Sequence, residues 1–291
     1  MNGEIPSPVF VTGASGHTGK RLVKHLCDLG VEVRALSRFP ETIPVDTRRR
    51  VKIVRVGLEN ESQVVEAMRG CAAVVAMTHI KFAATVIERM NAAGVRRGVF
   101  TSSTRRFTNF PEETARQVIA GEATVEGSGL DYTILRPSMI YGGREDNNME
   151  HIARALRTYP VFPLVGGGRM LWQPVFTLDV VEAILNALQR ETTIGKAITL
   201  AGPEPISYRE MVKTIARAVK KNPMLISVPM GLARMVVGFM EKLSANPRVR
   251  LDQIRRLQED KVFDITPARE LLEWQPRSFQ EGIDLKVRKE A

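Results

Sequence analysis

The chain has 291 residues, of which 44% are hydrophobic, enough apolar material for one large domain or for a domain with a smaller lobe. No apolar run reaches about 18 residues, so we expect no membrane-spanning helix. The first residues, MNGEIPSP, lack the basic and apolar regions of a secretory signal, and we expect a cytoplasmic protein. The two cysteines have no metal-ligand spacing, which predicts reduced thiols and no metal site.

The formal charge of +10 suits ligands that carry phosphate, a nucleic acid or an anionic membrane surface. The basic residues are spread along the sequence, with the densest clusters at Thr47–Lys52 and Arg248–Arg256. Aromatic residues make up 6% of the chain and do not alternate with these clusters, as they would on a nucleic-acid platform. A solvated basic surface is the simplest interpretation, and we expect no nucleic-acid partner.

Short apolar segments alternate with amphipathic ones over the first half of the chain. The predicted strands are continuously apolar, as in a sheet covered on both faces; they are Val9–Thr12, Glu32–Leu36, Lys52–Arg55, Ala73–Met77, Val99–Ser102 and Tyr132–Leu135. The predicted helices between them are His17–Leu29, Ser62–Met68, Lys81–Ala93 and Glu113–Glu126. Such alternation predicts an α/β fold with a doubly wound parallel sheet of the Rossmann type.

The pattern changes after about residue 142, where loops lengthen and helices dominate. We therefore predict a Rossmann domain over residues 1–142 and a smaller, mostly helical C-terminal lobe over residues 143–291. In an alternative division, a strand and a helix around residues 172–190 return to the first domain.

Two helix starts in the second half carry capping signals. Ser207 with Glu210 predicts a capping box at the start of a helix over Tyr208–Lys220. Thr266 before Pro267 predicts an N-cap followed by a first-turn proline.

The first predicted strand runs into a glycine-rich turn within VFVTGASGHTGKRLVKHL, Val9–Leu26. Gly13 permits a tight turn, Gly16 lets the backbone approach a phosphate, and Gly19 permits close packing of the following helix. The free N–H groups at the start of that helix are donors for a diphosphate. A strand before the glycines and a helix after them are the context that a dinucleotide-binding motif requires, so we predict that the turn binds NAD(P).

The end of the second predicted strand, VRALSRF, bears on which dinucleotide is bound. Sites that prefer NAD place a carboxylate there for the ribose hydroxyls, but this strand ends in Ser37 and Arg38. A guanidinium can pair with the 2′-phosphate of NADP and stack on its adenine. We predict NADP(H) over NAD(H); the alternative is that Arg38 is an ordinary surface arginine.

The spacing Gly-x-x-Gly-x-x-Gly resembles the short-chain dehydrogenase/reductase superfamily. Further resemblances span nearly the whole chain. AAGVRRGVFTSS resembles the helix and fifth strand of the superfamily, and SGLDYTILRPSMIYGG (Ser128–Gly143) resembles the sixth-strand signature of its extended and atypical branches. Two later segments resemble the C-terminal lobe of nucleotide-sugar epimerases: QPVFTLDVVEAILNAL (Gln173–Leu188) and DITPARELLEWQPRSFQEGI. The resemblance is strongest to NAD-dependent epimerase/dehydratase-like, NAD(P)H-binding proteins, a group that includes the 39-kDa-type accessory subunit of respiratory complex I.

The resemblance implies a cofactor site built from positions that match the motifs of the superfamily. These positions are the phosphate turn Gly13, Ala14, Ser15, Gly16, His17, Thr18 and Gly19; the adenine wall Leu58; the ribose loop Met77 and Thr78; the end of the fifth strand, Thr101, Ser102 and Ser103; and the nicotinamide segment Pro137, Ser138 and Met139. Gly57 stands where the superfamily usually has an aspartate.

The catalytic pair of the superfamily is absent from this sequence. That chemistry needs a tyrosine and, four residues later, a lysine that lowers the pKa of the tyrosine. Glu122 matches a glutamate that usually follows the pair, which places Thr114 in the tyrosine position and Val118 in the lysine position. None of the four tyrosines has a lysine four residues later.

Other polar residues are candidates for the missing roles. Ser103 matches the catalytic serine or threonine of the superfamily, although no lysine or histidine lies near it in sequence. The candidate contacts to an anionic substrate are Arg105, Arg106, Asp146 and Asn148, of which the last two equally suit a loop-fixing role. The histidines considered are His79 and His151, for which a role without chemistry is the simpler interpretation.

The segment Pro229–Leu243 predicts an amphipathic helix. Its apolar stripe consists of Met230, Leu232, Met235, Val236, Phe239, Met240 and Leu243. Burial within the C-terminal lobe is the simplest explanation, and a membrane surface or a protein partner is the alternative.

Three functions stay open from the sequence. The first is an NADP(H)-dependent, epimerase- or reductase-like enzyme that acts on a nucleotide-sugar or another anionic small molecule by an unusual mechanism. The second is a non-catalytic NADPH-binding sensor or assembly subunit, which the missing pair favours. The third is a membrane- or nucleic-acid-associated module, which only the bulk charge supports.

Overall fold

The computed structural model describes residues 3–110, 112–143, 147–243 and 259–290, without the side chains of residues 147–148, 239–243 and 287–290. The strands are β1 Val9–Thr12, β2 Val33–Leu36, β3 Lys52–Val54, β4 Ala73–Ala76, β5 Arg97–Thr101, β6 Asp131–Pro137, β7 Ile140–Tyr141, β8 Val161–Val165, β9 Leu171–Trp172, β10 Val175–Phe176, β11 Lys196–Leu200, β12 Ile206–Ser207 and β13 Met224–Val228. The helices are α1 Gly19–Asp28, α2 Val45–Arg48, α3 Glu61–Met68, α4 Ala83–Ala93, α5 Glu113–Glu126, α6 Asn147–Thr158, α7 Thr177–Gln189, α8 Tyr208–Ala218, α9 Met230–Leu243, α10 Thr266–Leu272 and α11 Phe279–Glu290. The basic cluster Arg248–Arg256 lies outside the described residues.

The chain forms two compact units. The first consists of Met1–Ile140, Thr177–Ala201 and Asp264–Pro276. The second consists of Tyr141–Phe176, Gly202–Phe263 and Arg277–Ala291.

The first unit is built on a seven-stranded sheet with the order β11-β6-β5-β4-β1-β2-β3, in which every pairing is parallel. The strands β1 and β4 at its centre are completely buried, because helices cover both faces of such a sheet. The predicted doubly wound parallel sheet is therefore confirmed. The six predicted strands agree with the structure to within about two residues, which is the usual uncertainty of element ends.

The seventh strand, β11, was not among the predicted strands. It pairs with β6 in the register Lys196–Thr133 to Leu200–Pro137. The helix α7, which precedes β11, also belongs to the first unit. A hydrogen bond of 2.8 Å from the indole N–H of Trp274, a fully buried side chain, to the carbonyl of Asp179 joins α7 to the segment after α10.

The second unit contains the helices α6, α8, α9 and α11 and short two-stranded sheets, among them the pairing of β7 with β10. Strands β8 and β13 form a parallel pair, and β9 and β12 form an antiparallel pair. The ring of Tyr141 is buried between Phe176 and Phe279, with centroid distances of 5.4 and 4.9 Å. No helix among the described residues combines the length and the apolarity that a membrane span requires.

The two capping predictions had different outcomes. The hydroxyl of Ser207 accepts a 3.1 Å hydrogen bond from the N–H of Glu210, so the predicted cap of α8 is confirmed. The predicted N-cap at Thr266 is wrong, because this residue is the first of α10. Its N–H donates to the carboxylate of Asp264 at 2.9 Å, and this hydrogen bond lowers the pKa of the Asp264 carboxyl.

Candidate functional site

The glycine turn joins β1 to α1 at the carboxyl edge of the sheet. Gly13 has a φ of +62°, and a Cβ at this position would lie 3.0 Å from the backbone carbon of Met77. A Cβ on Gly19 would lie 2.2 Å from the carbonyl oxygen of Gly13. Both positions therefore require glycine for the backbone to close, whereas Gly16 is exposed and leaves its outer side open to a ligand.

The turn also presents backbone donors. The N–H of Gly16 is used within the turn, where it donates to the carbonyl of Gly13 at 3.0 Å. Those of Ser15 and Thr18 donate to no acceptor in the part of the chain that the structure describes. No acidic side chain lies in the first turn of α1, so the N-terminus of this helix keeps its positive potential. This arrangement fits a bound diphosphate.

Hydroxyl groups fix the turn to its neighbours within the first unit. The hydroxyl of Thr18 lies 3.4 Å from that of Thr177 at the start of α7, and both side chains are buried. The hydroxyl of Thr12 accepts a hydrogen bond of 3.2 Å from the N–H of Met77 and lies 3.3 Å from the hydroxyl of Thr78. The predicted ribose loop is therefore held directly against the end of β1.

The fifth strand continues this row of contacts. Thr101, at the end of β5, donates to the sulfur of Met77 at 3.2 Å. Pro137 ends β6, and the N–H of Ser138 donates to the carbonyl of Leu200 at 2.8 Å. The structure thus places the predicted positions of the turn, the ribose loop and the last strands at carboxyl ends of one parallel sheet, where such folds bind their ligands.

Arg38 follows β2 at the same edge and is exposed. Its guanidinium lies 5.7 Å from the ring centre of Phe39, and no carboxylate pairs with it among the described residues. The neighbouring Ser37 is buried and accepts a 3.1 Å hydrogen bond from the N–H of Phe39. The hydroxyl of Thr42 donates to the carbonyl of Ser15 at 3.3 Å, which connects this segment to the glycine turn.

The segment after β3 contains Gly57, at the position where the superfamily usually has an aspartate. Leu58 is half-buried and packs against the core of the first unit. A Cβ on Gly57 would lie only 2.0 Å from a carboxylate oxygen of Glu59, so this carboxylate occupies the space that a side chain at position 57 would fill.

An ion cluster, made of the side chains of Arg106, Glu122 and Arg136, lies at the carboxyl ends of β5 and β6. The side chain of Glu122, on α5, is 1% exposed and accepts from the guanidiniums of Arg106 and Arg136, the latter at 2.7 Å. The hydroxyl of Ser102 donates to the same carboxylate at 2.5 Å. Burial lowers the pKa of both arginines, but a guanidinium stays charged at neutral pH. Both guanidiniums lie near the ring of Phe107, at 5.6 and 5.7 Å from its centre.

The two positions expected for a proton relay lie on α5. Val118 is 1% exposed and belongs to the hydrophobic core, and Thr114 is half-buried. Neither side chain titrates near neutral pH. Ser103 accepts a 3.2 Å hydrogen bond from the N–H of Arg105, and no histidine or lysine hydrogen-bonds to it among the described residues.

Arg105 lies two residues after Ser103, and its charge acts on the titratable side chain of His79. Arg105 is half exposed and pairs with Glu112 at 3.0 Å. Burial lowers the pKa of His79, and the charges of Lys81 and Arg105 lower it further. The Nδ1 atom of His79 accepts from the N–H of Lys81, so the imidazole caps the short helix Ile80–Phe82.

Three candidates remain, namely Asp146, Asn148 and His151. Asp146 lies outside the described residues, and the side chain of Asn148, in α6, is likewise undescribed. His151 is exposed on α6 in the second unit. Cys27 and Cys71 are buried free thiols, and burial raises the pKa of each. Within the described ranges no group of three metal-ligating side chains comes together.

Comparison with known proteins agrees with this geometry. Residues 13–157 match a family model described as NAD(P)H-binding. The chain is 24% identical to "NADH dehydrogenase [ubiquinone] 1 alpha subcomplex subunit 9, mitochondrial" of Arabidopsis thaliana, over 86% of its own length and 69% of that relative. It is also 24% identical to 4-hydroxy-2-methyl-3-oxo-4-farnesyl-3,4-dihydroquinoline-1-oxide ketoreductase of Stigmatella aurantiaca, over 94% of each chain.

Solved structures share the fold. The UDP-glucuronic acid 4-epimerase of Bacillus cereus, in complex with UDP-glucuronic acid and NAD, superposes with a TM-score of 0.73 at 15% identity, over 96% of this chain and 98% of the epimerase. The predicted resemblance to epimerase/dehydratase-like, NAD(P)-binding proteins, including the subunit of complex I, is therefore confirmed.

Proposed function

We propose that this chain, whose residues 13–157 match the NAD(P)H-binding family model, binds NADP(H) and holds it without the proton relay of the superfamily. The observation that carries the proposal is the pairing of an intact dinucleotide turn with a valine, buried in the core, in the lysine position of the relay. The protein is then a sensor or an accessory subunit, in keeping with its complex I relative.

The turn supplies the diphosphate contacts. The N–H groups of Ser15 and Thr18, together with the N-terminus of α1, would hold the two phosphates. Leu58 would contact the adenine, and Met77 and Thr78 would line the ribose. These residues fit the cofactor because they form one surface. Gly13 packs so closely against the backbone of Met77 that only a glycine leaves room there.

Arg38 carries the preference for NADP(H). It is exposed, it follows β2, and none of the described carboxylates competes for its charge. A guanidinium presents a planar fork of donors to a phosphate, and a phosphate is the only group that distinguishes NADP from NAD.

The residues beside the expected nicotinamide do not form a proton relay. The nicotinamide of bound NADP(H) would supply or accept a hydride, but a reduction also needs a proton at the substrate oxygen. Thr114 and Val118 have no group that titrates near neutral pH, and Ser103 has no basic partner among the described residues.

Fluorescence titration with NADPH and NADH tests the binding proposal. We expect NADPH to bind at least about tenfold more tightly than NADH, the difference that one good charged hydrogen bond provides. Failure of both dinucleotides to bind would overturn the proposal, and tighter binding of NADH would overturn the role of Arg38.

A second candidate function is a reductase or epimerase that acts on an anionic small molecule. The ketoreductase relative, whose match spans 94% of both chains, favours this alternative. The half-exposed guanidinium of Arg105 is a suitable contact for the anion. The test is NADPH consumption, or epimer exchange, with a panel of nucleotide-sugars and ketones. Turnover that is lost in Ser103→Ala would establish this alternative and refute the non-catalytic one.

A further inference from the structure

The second unit exposes an apolar face on its parallel strand pair. In the register of β8 and β13, Met224 lies beside Val161 and Ile226 lies beside Pro163. All four side chains point to the same face, because alternate residues of a strand share a face and paired residues lie side by side. All four are exposed, Met224 by 66%, Ile226 by 44% and Val161 by 40%.

An open face of this kind is unusual for parallel strands. Parallel pairs in soluble folds are normally covered on both faces, whereas here the opposite face holds the buried Leu164 and the half-buried Phe162 and Leu225. The helix α9, which begins two residues after β13, exposes three more apolar side chains on one side, Leu232, Met235 and Val236. It buries Ala233 and Val237 instead. Of the predicted stripe, Leu232, Met235 and Val236 therefore face outward and Met230 is half-buried, while the side chains of residues 239–243 lie outside the description.

The two stretches of sequence that carry this face contain cations and no acids. No aspartate or glutamate occurs between Glu150 and Asp179, the stretch that contains β8, or between Glu210 and Glu241, the stretch that contains β13 and most of α9. The strands are parallel, so the residues before both of them lie at the same end of the pair. There Lys220 and Lys221 precede β13, while the 62% exposed Tyr159 precedes β8.

We propose that the face formed by Val161, Pro163, Met224 and Ile226 docks on an anionic phospholipid membrane. The apolar side chains would enter the boundary of the acyl chains, and the lysines would meet the headgroup charges. A tyrosine beside the apolar face is the residue type that membrane interfaces favour.

The observations favour a lipid surface over other occupants. A nucleic acid would need aromatic side chains for stacking, and this face has one tyrosine at its end. A second copy of the chain would bring the same lysines against each other, which the surrounding charge disfavours. Anionic lipid satisfies both the apolar face and the cations.

Flotation of the full chain with lipid vesicles tests the proposal. Vesicles of phosphatidylcholine alone are compared with vesicles of phosphatidylcholine and an equal amount of phosphatidylserine. We expect binding to the anionic vesicles, with little binding to the neutral ones and a large loss at about 0.5 M NaCl.

Two pairs of variants probe the two parts of the surface. Met224→Glu with Ile226→Glu should lower the partition coefficient at least about tenfold, because acids would face the acyl boundary. Lys220→Glu with Lys221→Glu should lower it by roughly 25-fold or more, since each lysine near an anionic surface contributes about fivefold. The matched controls are Ile119→Glu, which is 47% exposed on α5, and Lys196→Glu, which is exposed at the start of β11; both should bind like the parent.

Thermal unfolding shows whether each variant is folded. If the double variant at Met224 and Ile226 is unfolded, the double variant at Lys220 and Lys221 still provides the test. The proposal is wrong if the parent does not float with anionic vesicles or if it binds both vesicle types equally. It is also wrong if the folded variants bind like the controls. A dimer in sedimentation that Ile226→Glu breaks, without any vesicle binding, would assign the face to a second copy and overturn the lipid proposal.

Discussion

Replacing Arg38 by alanine should weaken NADPH binding about 10- to 100-fold and leave NADH binding nearly unchanged. The range follows from the 1.5–3 kcal/mol that a hydrogen bond to a charged group typically contributes. The effect on binding can be separated from an effect on folding, because Arg38 is exposed and its guanidinium lies against the ring of its neighbour Phe39. Its loss should therefore change the free energy of unfolding by no more than about 0.5 kcal/mol.

The assay is fluorescence titration of both dinucleotides against the parent, Arg38→Ala, Arg38→Asp and a control. Arg38→Asp should weaken NADPH further, because a carboxylate repels the 2′-phosphate and suits the ribose hydroxyls of NADH instead. The control is Arg69→Asp, an exposed arginine that follows α3 and precedes β4, at the opposite edge of the sheet. Equal losses for NADPH and NADH in Arg38→Ala, or an equal loss in the control, would refute the reasoning.

Three further predictions concern the turn, the ion cluster and the thiols. Gly13→Ala should abolish NADPH binding, whereas Gly30→Ala, with a similar φ of +77° but nothing within 4 Å of its added Cβ, should cost about 1–2 kcal/mol of stability and keep binding. Glu122→Gln should lower the free energy of unfolding in urea by about 3 kcal/mol, because two half-buried guanidiniums lose the buried carboxylate that pairs with them. The matched control Glu126→Gln, at a side chain that is 46% exposed, should stay within about 0.5 kcal/mol. Burial raises the pKa of both cysteines, so iodoacetamide at about pH 8 should label them only after denaturation; rapid labelling of the native protein would contradict their burial.

The sequence was most informative where structure is encoded locally. The first six strands were predicted because each is a short, mostly apolar run between turn signals, and the structure buries the central two, β1 and β4, completely. The glycine turn was predicted for a related reason. A positive φ at Gly13 and a close approach at Gly19 are backbone requirements that only one residue type meets, so spacing alone reveals them.

The strand β11 shows where local pattern is insufficient. Its sequence, KAITL, starts with an exposed lysine and lies at the edge of the sheet, so its burial is partial. Its partner, β6, lies about 60 residues earlier, a distance visible only in the fold. The other edge strand, β3, also starts with an exposed lysine and was nevertheless predicted, so the long-range pairing of β11 is the information that the local pattern lacks.

The ion cluster shows the same limit for the site. Arg106, Glu122 and Arg136 come from a loop, a helix and a strand, and the sequence identified Glu122 only as a landmark. A signal was nevertheless present. Glu122 lies four residues after Val118 and three before Val125, both buried, so the helical period places a carboxylate on the core face of α5. A carboxylate at such a position requires a cation beside it.

The same face of α5 explains how dinucleotide binding and proton transfer can separate in this fold. The relay positions Thr114 and Val118 lie on the side of the helix that holds Glu122, and Val118 shares the core with Phe100 and Ile134. A lysine at position 118 would have to enter that core, where an unpaired ammonium is strongly disfavoured. The glycine turn depends on none of these contacts, since β1, β4 and α1 shape it. The close backbone approaches that shape the glycine turn are therefore independent of the residue types at positions 114 and 118.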